Sequence, residues 1–356
     1  MSGDRIIVSR YKKLSSSRQQ QPKAGIKLDP QRLVAGVLSG DMSALAQSIT
    51  LIESTAPSHR LCARKVLEGL AEHGRKRARL VAISGVPGAG KSSLIETLGN
   101  QLCDNGLRVA VLAVDPSSSR SGGSILGDKT RMETLSIRPE CFIRPSPTGG
   151  ALGGVTRRAR ETVMICEAAG FDVILIETVG VGQSEIAVRS LVDCFILLLI
   201  TGAGDDLQGI KKGIVEIADI VLINKADGDN QVAAETTRLE FEGVMHILSP
   251  STEGWSPPVL AVSAHEDRGI AETWRAVEAY FEHLEISSQL LLRRRQNNLN
   301  WYRSHVAEEL YARLLQDPRI AGEIAHIELA VLDGSLEPSL AVDTLHEKLS
   351  PTSPSN

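Results

Sequence analysis

The apolar positions divide the chain into regions of two different periodicities. Between residues 29 and 72 they recur every three or four positions, which predicts an N-terminal segment of two or three helices. From Leu80 onward, short unbroken apolar runs alternate with longer amphipathic segments. Such runs are typical of strands that are buried on both faces of a parallel sheet. The predicted strands are residues 80–84, 109–114, 141–144, 173–177, 194–201, 220–224 and 259–262.

Helical patterns fill most of the intervals between these strands and dominate the end of the chain. The predicted helices are residues 92–104, 156–169, 210–216, 232–245 and 270–285, followed by 290–315 and by shorter patterns up to about residue 349. This alternation predicts an α/β domain over residues 79–285, preceded by a helical extension over 29–78. A helical region over 286–345 and a frayed tail over 346–356 complete the predicted organisation.

The first 28 residues differ from the rest of the chain in charge. They carry seven Lys and Arg side chains and one acid, Asp4, although the whole chain has a net charge of −4. This basic, Ser- and Gln-rich stretch has no regular apolar period, so we expect a disordered tail. A mitochondrial transit peptide is the alternative, because such segments are rich in Arg and Ser and poor in acids. We therefore expect a cytoplasmic protein, with the mitochondrial matrix as the alternative.

Composition argues against nucleic-acid and membrane partners. Aromatic residues make up only 3% of the chain, which weakens any case for a base-stacking platform. The longest apolar run, residues 194–200, is far too short to span a bilayer. Five cysteines lie far apart without a C-x-x-C spacing, which predicts reduced thiols in a reducing compartment.

A glycine-rich stretch, GVPGAGKSS, follows the first predicted strand and leads directly into a predicted helix. It fits G-x-x-x-x-G-K-[ST], the pattern of a phosphate-binding loop, in the strand–loop–helix context that this loop requires. Backbone N–H groups would surround phosphate oxygens, and the helix N-terminus would add partial positive charge. Lys91 would reach the β- and γ-phosphates, and the Ser92 hydroxyl would bind Mg²⁺. The predicted nucleotide-binding residues of this loop are Gly85, Val86, Pro87, Gly88, Ala89, Gly90, Lys91, Ser92 and Ser93.

A later strand supplies two further groups that a phosphate-binding loop needs. The apolar run VILI ends in Glu177, and Gly180 follows three residues later. Glu177 would hold Mg²⁺ through water, and the N–H of Gly180 would contact the γ-phosphate. The predicted catalytic residues therefore include Lys91, Glu177 and Gly180.

The sequence NKAD, which follows the strand IVLI, predicts recognition of guanine. The Asp227 carboxylate would accept hydrogen bonds from guanine N1–H and from the exocyclic amino group, whereas adenine has no donor at N1. Lys225 would pack its stem along the base, and Asn224 would tie this loop to the phosphate loop. After the next strand, a backbone N–H of Ser263 or Ala264 would meet guanine O6. These features predict GTP as the nucleotide rather than ATP.

Four longer stretches resemble one family, the methylmalonyl-CoA mutase-associated GTPases, or MeaB/ArgK group. The stretches are VDPSSSRSGGSILGDKTRM (114–132), PTGGALGGVTRRARE (147–161), IETVGVGQSE (176–185) and GAGDDLQGIKKGIVEIADIVLINKADGD (202–229). The resemblance covers roughly residues 29–311. It implies a P-loop GTPase of the SIMIBI class, in a group that includes the methylmalonic aciduria type A protein.

The resemblance adds three residues to the candidate site. It implies that Asp115 and Asp128 join Ser92 and Glu177 in the Mg²⁺ network. Without the resemblance, Asp115 reads equally well as a turn cap and Asp128 as a solvated loop charge. The resemblance also implies that Lys211 lies on a mobile segment and moves toward the nucleotide when a partner mutase binds, which accelerates hydrolysis. By itself, Lys211 reads as a solvated lysine that caps a helix.

The resemblance also implies ligands and partners. Members act as homodimers that guard adenosylcobalamin-dependent acyl-CoA mutases; GTP hydrolysis gates cofactor loading from an adenosyltransferase and helps to eject inactivated cofactor. We therefore expect Mg²⁺ and GTP or GDP as ligands, no tightly bound cobalamin, and slow hydrolysis that the client mutase stimulates. The expected dimer element is apolar and C-terminal: Leu290, Leu291, Leu292, Leu299, Trp301, Tyr302, Val306, Leu310 and Leu314.

Several alternatives remain open at this stage. A metallochaperone GTPase for nickel delivery and a kinase linked to amino-acid transport are the rival functions, together with a scaffold that uses GTP only structurally. Gln183 is a candidate for positioning water. The basic cluster Arg157, Arg158 and Arg160 is either a partner surface or an exposed helix face. The stretch HEDRGI after Ala264 departs from the small, Thr- and Gly-rich turn that is usual in relatives.

Overall fold

A computed structural model describes residues 29–54, 56–74, 77–114, 132–144, 152–178, 184–201, 212–248 and 250–349. The strands are β1 (Arg79–Gly85), β2 (Val109–Val114), β3 (Cys141–Arg144), β4 (Val173–Thr178), β5 (Cys194–Ile200), β6 (Ile220–Asn224) and β7 (Val259–Ala261). The first helices are α1 (Pro30–Leu38), α2 (Met42–Glu53), α3 (Pro57–Glu72), α4 (Lys91–Asp104), α5 (Leu152–Ala168) and α6 (Ser184–Arg189). They are followed by α7 (Lys212–Glu216), α8 (Gln231–Ile247), α9 (Ile270–Ile286), α10 (Gln289–Leu314), α11 (Pro318–Leu332) and α12 (Pro338–Leu349).

The seven strands form one sheet in the order β3-β2-β4-β1-β5-β6-β7, and each neighbouring pair is parallel. The predicted α/β class with helical extensions at both ends is therefore confirmed. Because the strands are parallel, their carboxyl ends meet at one edge of the sheet. β1, β4, β6 and β7 thus deliver the phosphate loop, Glu177, the NKAD loop and the loop at Ser263 to the same edge.

Alternate residues of the central strands build two separate hydrophobic cores. On one face, Ala82, Ile174 and Leu197 pack with helices α1 to α3, α5 and α8. On the other face, Ile83 and Leu175 pack with helices α4 and α9. This alternation follows from the two-residue period of a strand, and it explains why strands covered on both faces read as unbroken apolar runs.

The N-terminal extension consists of three helices that share the first of these cores. Asp29 and Asp41 cap α1 and α2, since each carboxylate accepts a hydrogen bond from the backbone N–H two residues later, at 3.0 and 2.8 Å. Val37, Leu45 and Ile49 are fully or almost fully buried within the cluster that includes the sheet. The extension is therefore part of the covering layer of the α/β domain.

Element boundaries agree with the sequence prediction to within one or two residues for the strands, and less closely for some helices. Helix α5 begins at Leu152 rather than at residue 156, although Gly153 and Gly154 are poor helix formers. Helix α12 continues to Leu349, into the range predicted as the frayed tail.

Of the described residues, none lies in a helix long and apolar enough to cross a membrane. All five cysteines are thiols rather than disulfides, and burial raises the pKa of the Cys166 thiol to about 12.

Helix α10 is attached to the sheet by ion pairs at the amino ends of the strands. Arg294 donates from Nε to Asp193 Oδ1 at 2.8 Å and pairs with the same carboxylate through a second nitrogen. Its guanidinium also donates to the Ala78 carbonyl at 2.7 Å. Nearby, Arg293 donates to the Asp193 carbonyl at 2.9 Å. Since Asp193 is only 1% exposed, its carboxylate depends on Arg294 for compensation.

Replacement of Arg294 by Ala should lower the free energy of unfolding by about 3–5 kcal/mol, because it leaves a buried carboxylate without its ion-pair partner. The adjacent Arg295 is exposed, so Arg295→Ala is the matched control and should change stability by no more than about 0.5 kcal/mol. Urea unfolding of both variants measures the difference. Equal, small losses would show that Asp193 does not need Arg294.

Candidate functional site

The phosphate loop has the backbone shape that its glycines allow and that other residues would not. Gly88 and Gly90 have φ values of +80° and +88°, in the left-handed region. A Cβ atom at Gly85 would lie 2.1 Å from the Leu198 carbonyl oxygen, so the loop leaves β1 against the backbone of β5. At Gly90, a Cβ atom would lie 2.6 Å from Asn224 Nδ2. Gly85 and Gly90 are therefore required by two close approaches, one of the β5 backbone and one of the Asn224 side chain at the end of β6.

Lys91 is folded back against the loop from which it projects. Its ammonium group donates to the carbonyl oxygens of Gly85 and Val86, at 2.9 and 3.1 Å, and the residue is 8% exposed. Burial lowers the pKa of Lys91, and the negative charges of Glu177 and Glu185 oppose this effect. A cation held by two neutral carbonyls in a partly desolvated loop is a good partner for an anionic phosphate.

Ser92 and Glu177 lie next to each other, as expected for two groups that hold one metal ion. The Ser92 hydroxyl donates to Oε1 of Glu177, at the carboxyl end of β4, at 2.8 Å. Beside them, Thr178 donates to the Ser84 hydroxyl at 2.8 Å, which ties the ends of β4 and β1 together. Hydroxyl and carboxylate oxygens are the hard ligands that Mg²⁺ takes from proteins, so this pair fits the ion. No group of three or more His, Cys, Asp or Glu side chains suited to a metal ion occurs within the described ranges.

Asn224 connects the NKAD loop to the phosphate loop. Its side-chain amide donates to the Ala89 carbonyl at 2.7 Å, and the residue is 2% exposed. Its oxygen accepts a longer hydrogen bond, 3.4 Å, from the N–H of Ala264. Lys225 follows with φ +60°, which turns the chain so that its own side chain is exposed beside the site. The structure thus places Asn224 where the sequence analysis expected the tie between the two loops.

Asp227 is oriented by the strand that follows. The Ser263 hydroxyl donates to Asp227 Oδ2 at 2.5 Å, and the Ala226 N–H donates to the Val262 carbonyl at 3.0 Å. The Ser263 N–H is occupied by the Arg268 carbonyl at 2.9 Å, so it is not the donor for a guanine O6. The Ala264 N–H makes a longer and weaker bond, 3.4 Å to Asn224, so it is the better suited of the two backbone groups to that contact.

Some predicted residues lie outside the described part of the chain. These are Asp115, Asp128, Gly180, Gln183 and Lys211. Their proposed roles remain predictions. The described sites of Ser92, Glu177, Asn224 and Asp227 occupy the same edge of the sheet.

Two features of the site were missed from sequence. Glu185, near the start of α6, is 2% exposed, and its negative charge partly opposes the lowering of the Lys91 pKa by burial. A carboxylate two residues after Gln183 was visible in the sequence, but nothing in its spacing indicated a buried position. Thr97, on the helix after the phosphate loop, donates to the Ala264 carbonyl at 2.9 Å. An isolated Thr within a helix belongs to no recognisable sequence motif, so its contact was not predictable.

Arg160, one member of the basic cluster Arg157, Arg158 and Arg160, makes a contact within the protein. The guanidinium of Arg160 lies 5.4 Å from the centre of the Trp301 ring, so this cation packs between α5 and α10. Trp301 in turn stacks on His305 at 5.3 Å. Arg160 therefore joins two helices of the protein.

Comparison with known proteins agrees with this geometry. The profile of the family described as methylmalonyl-CoA mutase-associated GTPase MeaB matches residues 45–319. The chain belongs to the MeaB family. A protein described as a probable GTPase in Mycobacterium tuberculosis H37Rv is 49% identical over 315 residues, which cover 88% of this chain and 94% of its own.

Other members of the MeaB family are similar over nearly the same length. The GTPase ArgK of Escherichia coli is 45% identical over 308 residues, covering 86% of this chain and 93% of its own. A mouse protein described as a mitochondrial methylmalonic aciduria type A homolog is 43% identical over 323 residues, covering 88% and 78%. The crystal structure described as LAO/AO transport system kinase superposes with a TM-score of 0.74 at 36% identity, covering 92% of this chain and 99% of its own.

Gly90→Ala should destabilise the protein more than Gly88→Ala. Both substitutions place a side chain in the left-handed region, which costs about 1–2 kcal/mol. Only at Gly90 would the new Cβ displace Asn224 and leave buried polar groups of the loop unpaired, at about 1–3 kcal/mol more. Among the described residues other than its two sequence neighbours, no atom lies within 4 Å of the corresponding position at Gly88, which makes it the matched control. Urea unfolding measures both; equal losses would contradict the role given to Asn224.

Proposed function

We propose that this MeaB-family protein hydrolyses GTP to GDP and phosphate as the chaperone of an adenosylcobalamin-dependent acyl-CoA mutase. In this role hydrolysis is coupled to loading, protection and reactivation of the mutase cofactor. The observation that carries the GTPase part is the bond between Asn224 and Ala89, which joins a phosphate loop to a guanine-type recognition loop. Membership of the MeaB family supports the mutase as client.

Selection of guanine rests on Asp227. Its carboxylate is held by the Ser263 hydroxyl and stands at the end of β6, next to the loop that Asn224 fixes. Guanine offers two donors, N1–H and the 2-amino group, to such a carboxylate, whereas adenine offers neither in that arrangement. A site that is built to hydrogen-bond two donors rejects a ring that lacks them, because the carboxylate would then lose its solvent without a replacement.

Asp227→Asn should shift the preference from GTP toward xanthosine triphosphate. The amide of Asn can donate to the 2-oxo group of xanthine, but it repels the 2-amino group of guanine. We expect GTP affinity to fall about tenfold to a hundredfold, corresponding to one or two hydrogen bonds to a charged group. Asp229→Asn, at an exposed neighbouring carboxylate, is the control and should leave affinity unchanged. Competition titrations measure both nucleotides; an unchanged GTP preference would exclude Asp227 as the base-reading residue.

In the proposed reaction, the phosphate loop and the Mg²⁺ ligands bind the nucleotide and compensate its negative charge. Lys91 would exchange its carbonyl partners for phosphate oxygens, and the phosphate loop would add its backbone N–H groups. Ser92 and Glu177, with Asp115 and Asp128 by family resemblance, would hold Mg²⁺, which neutralises charge on the β- and γ-phosphates. The N–H of Gly180 would contact the γ-phosphate, and Gln183 is a candidate to orient the attacking water.

Stimulation by the client would come from Lys211. Negative charge on the β–γ region grows in the transition state, so a cation that arrives only in the complex accelerates the reaction only there. This arrangement would keep hydrolysis slow until the mutase is present. An adenosyltransferase is the proposed source of the cofactor, and no cobalamin is proposed to bind tightly to this chain.

Lys211→Ala should remove most of the stimulation of GTP turnover by a methylmalonyl-CoA mutase. We expect a loss of about 10²-fold or more in stimulated turnover, as for other groups that stabilise transition-state charge. Lys212→Ala changes the neighbouring lysine and should retain stimulation. Phosphate release is measured with and without the mutase for each variant. Stimulation that survives Lys211→Ala would refute the proposed trigger, and no stimulation of the unmodified protein by any such mutase would refute the client.

A homodimer is part of this proposal, with α10 at its interface. This helix has no buried residue, although it is 26 residues long and packs on α9 and α5. Its exposed apolar side chains include Leu292, Leu299, Tyr302 and Leu310, between 41% and 67% exposed. An exposed apolar surface of this kind is characteristic of a protein interface. The MeaB-family resemblance supplies the partner, a second copy of the chain.

The rival functions make different demands on the molecule. Nickel delivery requires metal-ligating side chains beyond the Mg²⁺ pair, and an amino-acid-transport kinase requires transfer of phosphate to a protein acceptor rather than to water. Assays of nickel binding and of phosphoryl transfer, run beside the mutase-stimulated hydrolysis assay, separate these two functions from the one proposed. A cytoplasmic location is proposed, with the mitochondrial matrix as the alternative.

A further inference from the structure

The loop that follows Ser263 is bonded to helix α4, which starts at the phosphate loop. The Thr97 hydroxyl, half-buried on α4, donates to the Ala264 carbonyl at 2.9 Å and shares its proton with the Ser93 carbonyl of its own helix at 3.1 Å. One turn further along, Gln101 Nε2 donates to Asp267 Oδ1 at 2.5 Å. Residues four apart lie on the same face of a helix, so both bonds reach the same loop. We refer to these two hydrogen bonds as the α4 clasp.

The loop held by the clasp has a fixed internal shape. Ser263 and Arg268 exchange two backbone hydrogen bonds, of 2.9 and 3.0 Å, which close it as a short antiparallel turn. Gly269 has φ +76°, and a Cβ atom there would lie 2.8 Å from the Ala261 carbonyl oxygen. Because its own shape is fixed, the position of the loop over the sheet depends on the contacts that it makes with its neighbours.

Those contacts form a closed circuit around the candidate nucleotide site. The Ala264 peptide is held on its N–H side by Asn224 at 3.4 Å and on its carbonyl side by Thr97. Asn224 in turn donates to Ala89 in the phosphate loop, and α4 begins two residues later at Lys91. The circuit therefore runs from phosphate loop to NKAD loop to base loop and back through α4. Its long Asn224–Ala264 bond is weak, which leaves the Thr97 bond as the stronger hold on Ala264.

We propose that Thr97 and Gln101 are positioning residues for guanine selectivity. They hold the Ala264 N–H and the Ser263 hydroxyl, which orients Asp227, at a fixed distance from the phosphate loop. A nucleotide that is anchored by its phosphates then meets the base-reading groups at hydrogen-bonding distance. This inference rests on the proposed function, since it requires that guanine occupies the site.

Loss of the clasp should affect guanine and adenine nucleotides differently. Hydrogen bonds weaken steeply with poor distance and angle, so a displaced loop would form weaker hydrogen bonds to guanine. Adenine nucleotides would gain little binding energy from Asp227, and their phosphates would be held by Lys91 and the phosphate loop. GDP affinity should therefore fall while ADP affinity is unchanged. General loosening of the fold would instead lower both affinities.

The test is calorimetric titration of the full chain with GDP and with ADP in the presence of Mg²⁺. Thr97→Val should weaken GDP binding about fivefold to tenfold, the equivalent of one hydrogen bond, and leave ADP within twofold. Thr97→Ser keeps the hydroxyl and should restore GDP affinity. Gln101→Ala removes an exposed bond and should weaken GDP binding about twofold to threefold. Thermal unfolding of each variant accompanies the titrations.

Two matched substitutions control for the change of side chain. Thr236 on α8 donates to the Val232 carbonyl of its own helix, at 3.0 Å, so Thr236→Val repeats the chemistry of Thr97→Val away from the site. Gln47 on α2 donates to the Ser43 hydroxyl at 3.2 Å, and Gln47→Ala repeats Gln101→Ala. Both controls should keep the GDP and ADP affinities of the unmodified protein.

The possible outcomes distinguish failure of the clasp inference from failure of the proposed function. If the unmodified protein prefers GDP but Thr97→Val keeps the same GDP-to-ADP ratio, the clasp inference is overturned and the proposed function stands. Equal losses for the two nucleotides also overturn it, since they indicate a structural role alone. If the unmodified protein binds GDP and ADP equally, guanine recognition fails and the clasp inference fails with it.

Discussion

The candidate site depends on one buried hydrogen bond, from the Asn224 amide to the Ala89 carbonyl. This bond joins two loops that are far apart in sequence and that would bind opposite ends of one nucleotide. It is possible only because Gly90 has no side chain at the point where Asn224 approaches. A phosphate loop alone binds any nucleoside triphosphate; in the proposed function, its fixed distance from Asp227 would give the site a preference for one base.

The carboxyl and amino ends of the strands carry different kinds of polar groups. At the carboxyl ends of the strands lie the groups proposed to bind nucleotide and metal, among them Lys91, Ser92 and Glu177. At the amino ends, Asp193 and Asp219 are buried and paired with arginines, and Arg189 at the end of α6 pairs with Asp219 at 3.1 Å. The Arg294–Asp193 pair fixes α10 to the domain, whereas the Arg189–Asp219 pair joins α6 to the start of β6. The exposed apolar face of α10 is thus held on a rigid base, separate from the site of the proposed reaction.

The strands were predictable from the sequence for an identifiable physical reason. Strands covered on both faces must be apolar throughout, so their limits are visible. The candidate residues Glu177 and Asn224 lie at the carboxyl ends of such strands, and Lys91, Ser92 and Asp227 lie a few residues beyond them. Side chains whose role depends on distant partners were not predictable. Thr97 and Ala264 are separated by 167 positions, and Arg294 and Asp193 by 101. Neither pair belongs to a motif, and Glu185 reveals its burial only in the folded chain.

The most direct test of the central claim is a crystal structure of the protein with Mg²⁺ and a non-hydrolysable GTP analogue. The account predicts phosphates within the loop from Gly85 to Ser92, with the Lys91 ammonium turned from the Gly85 and Val86 carbonyls toward them. It also predicts guanine N1 and the 2-amino group within hydrogen-bonding distance of Asp227. A base that lies away from Asp227, or phosphates bound outside this loop, would contradict it.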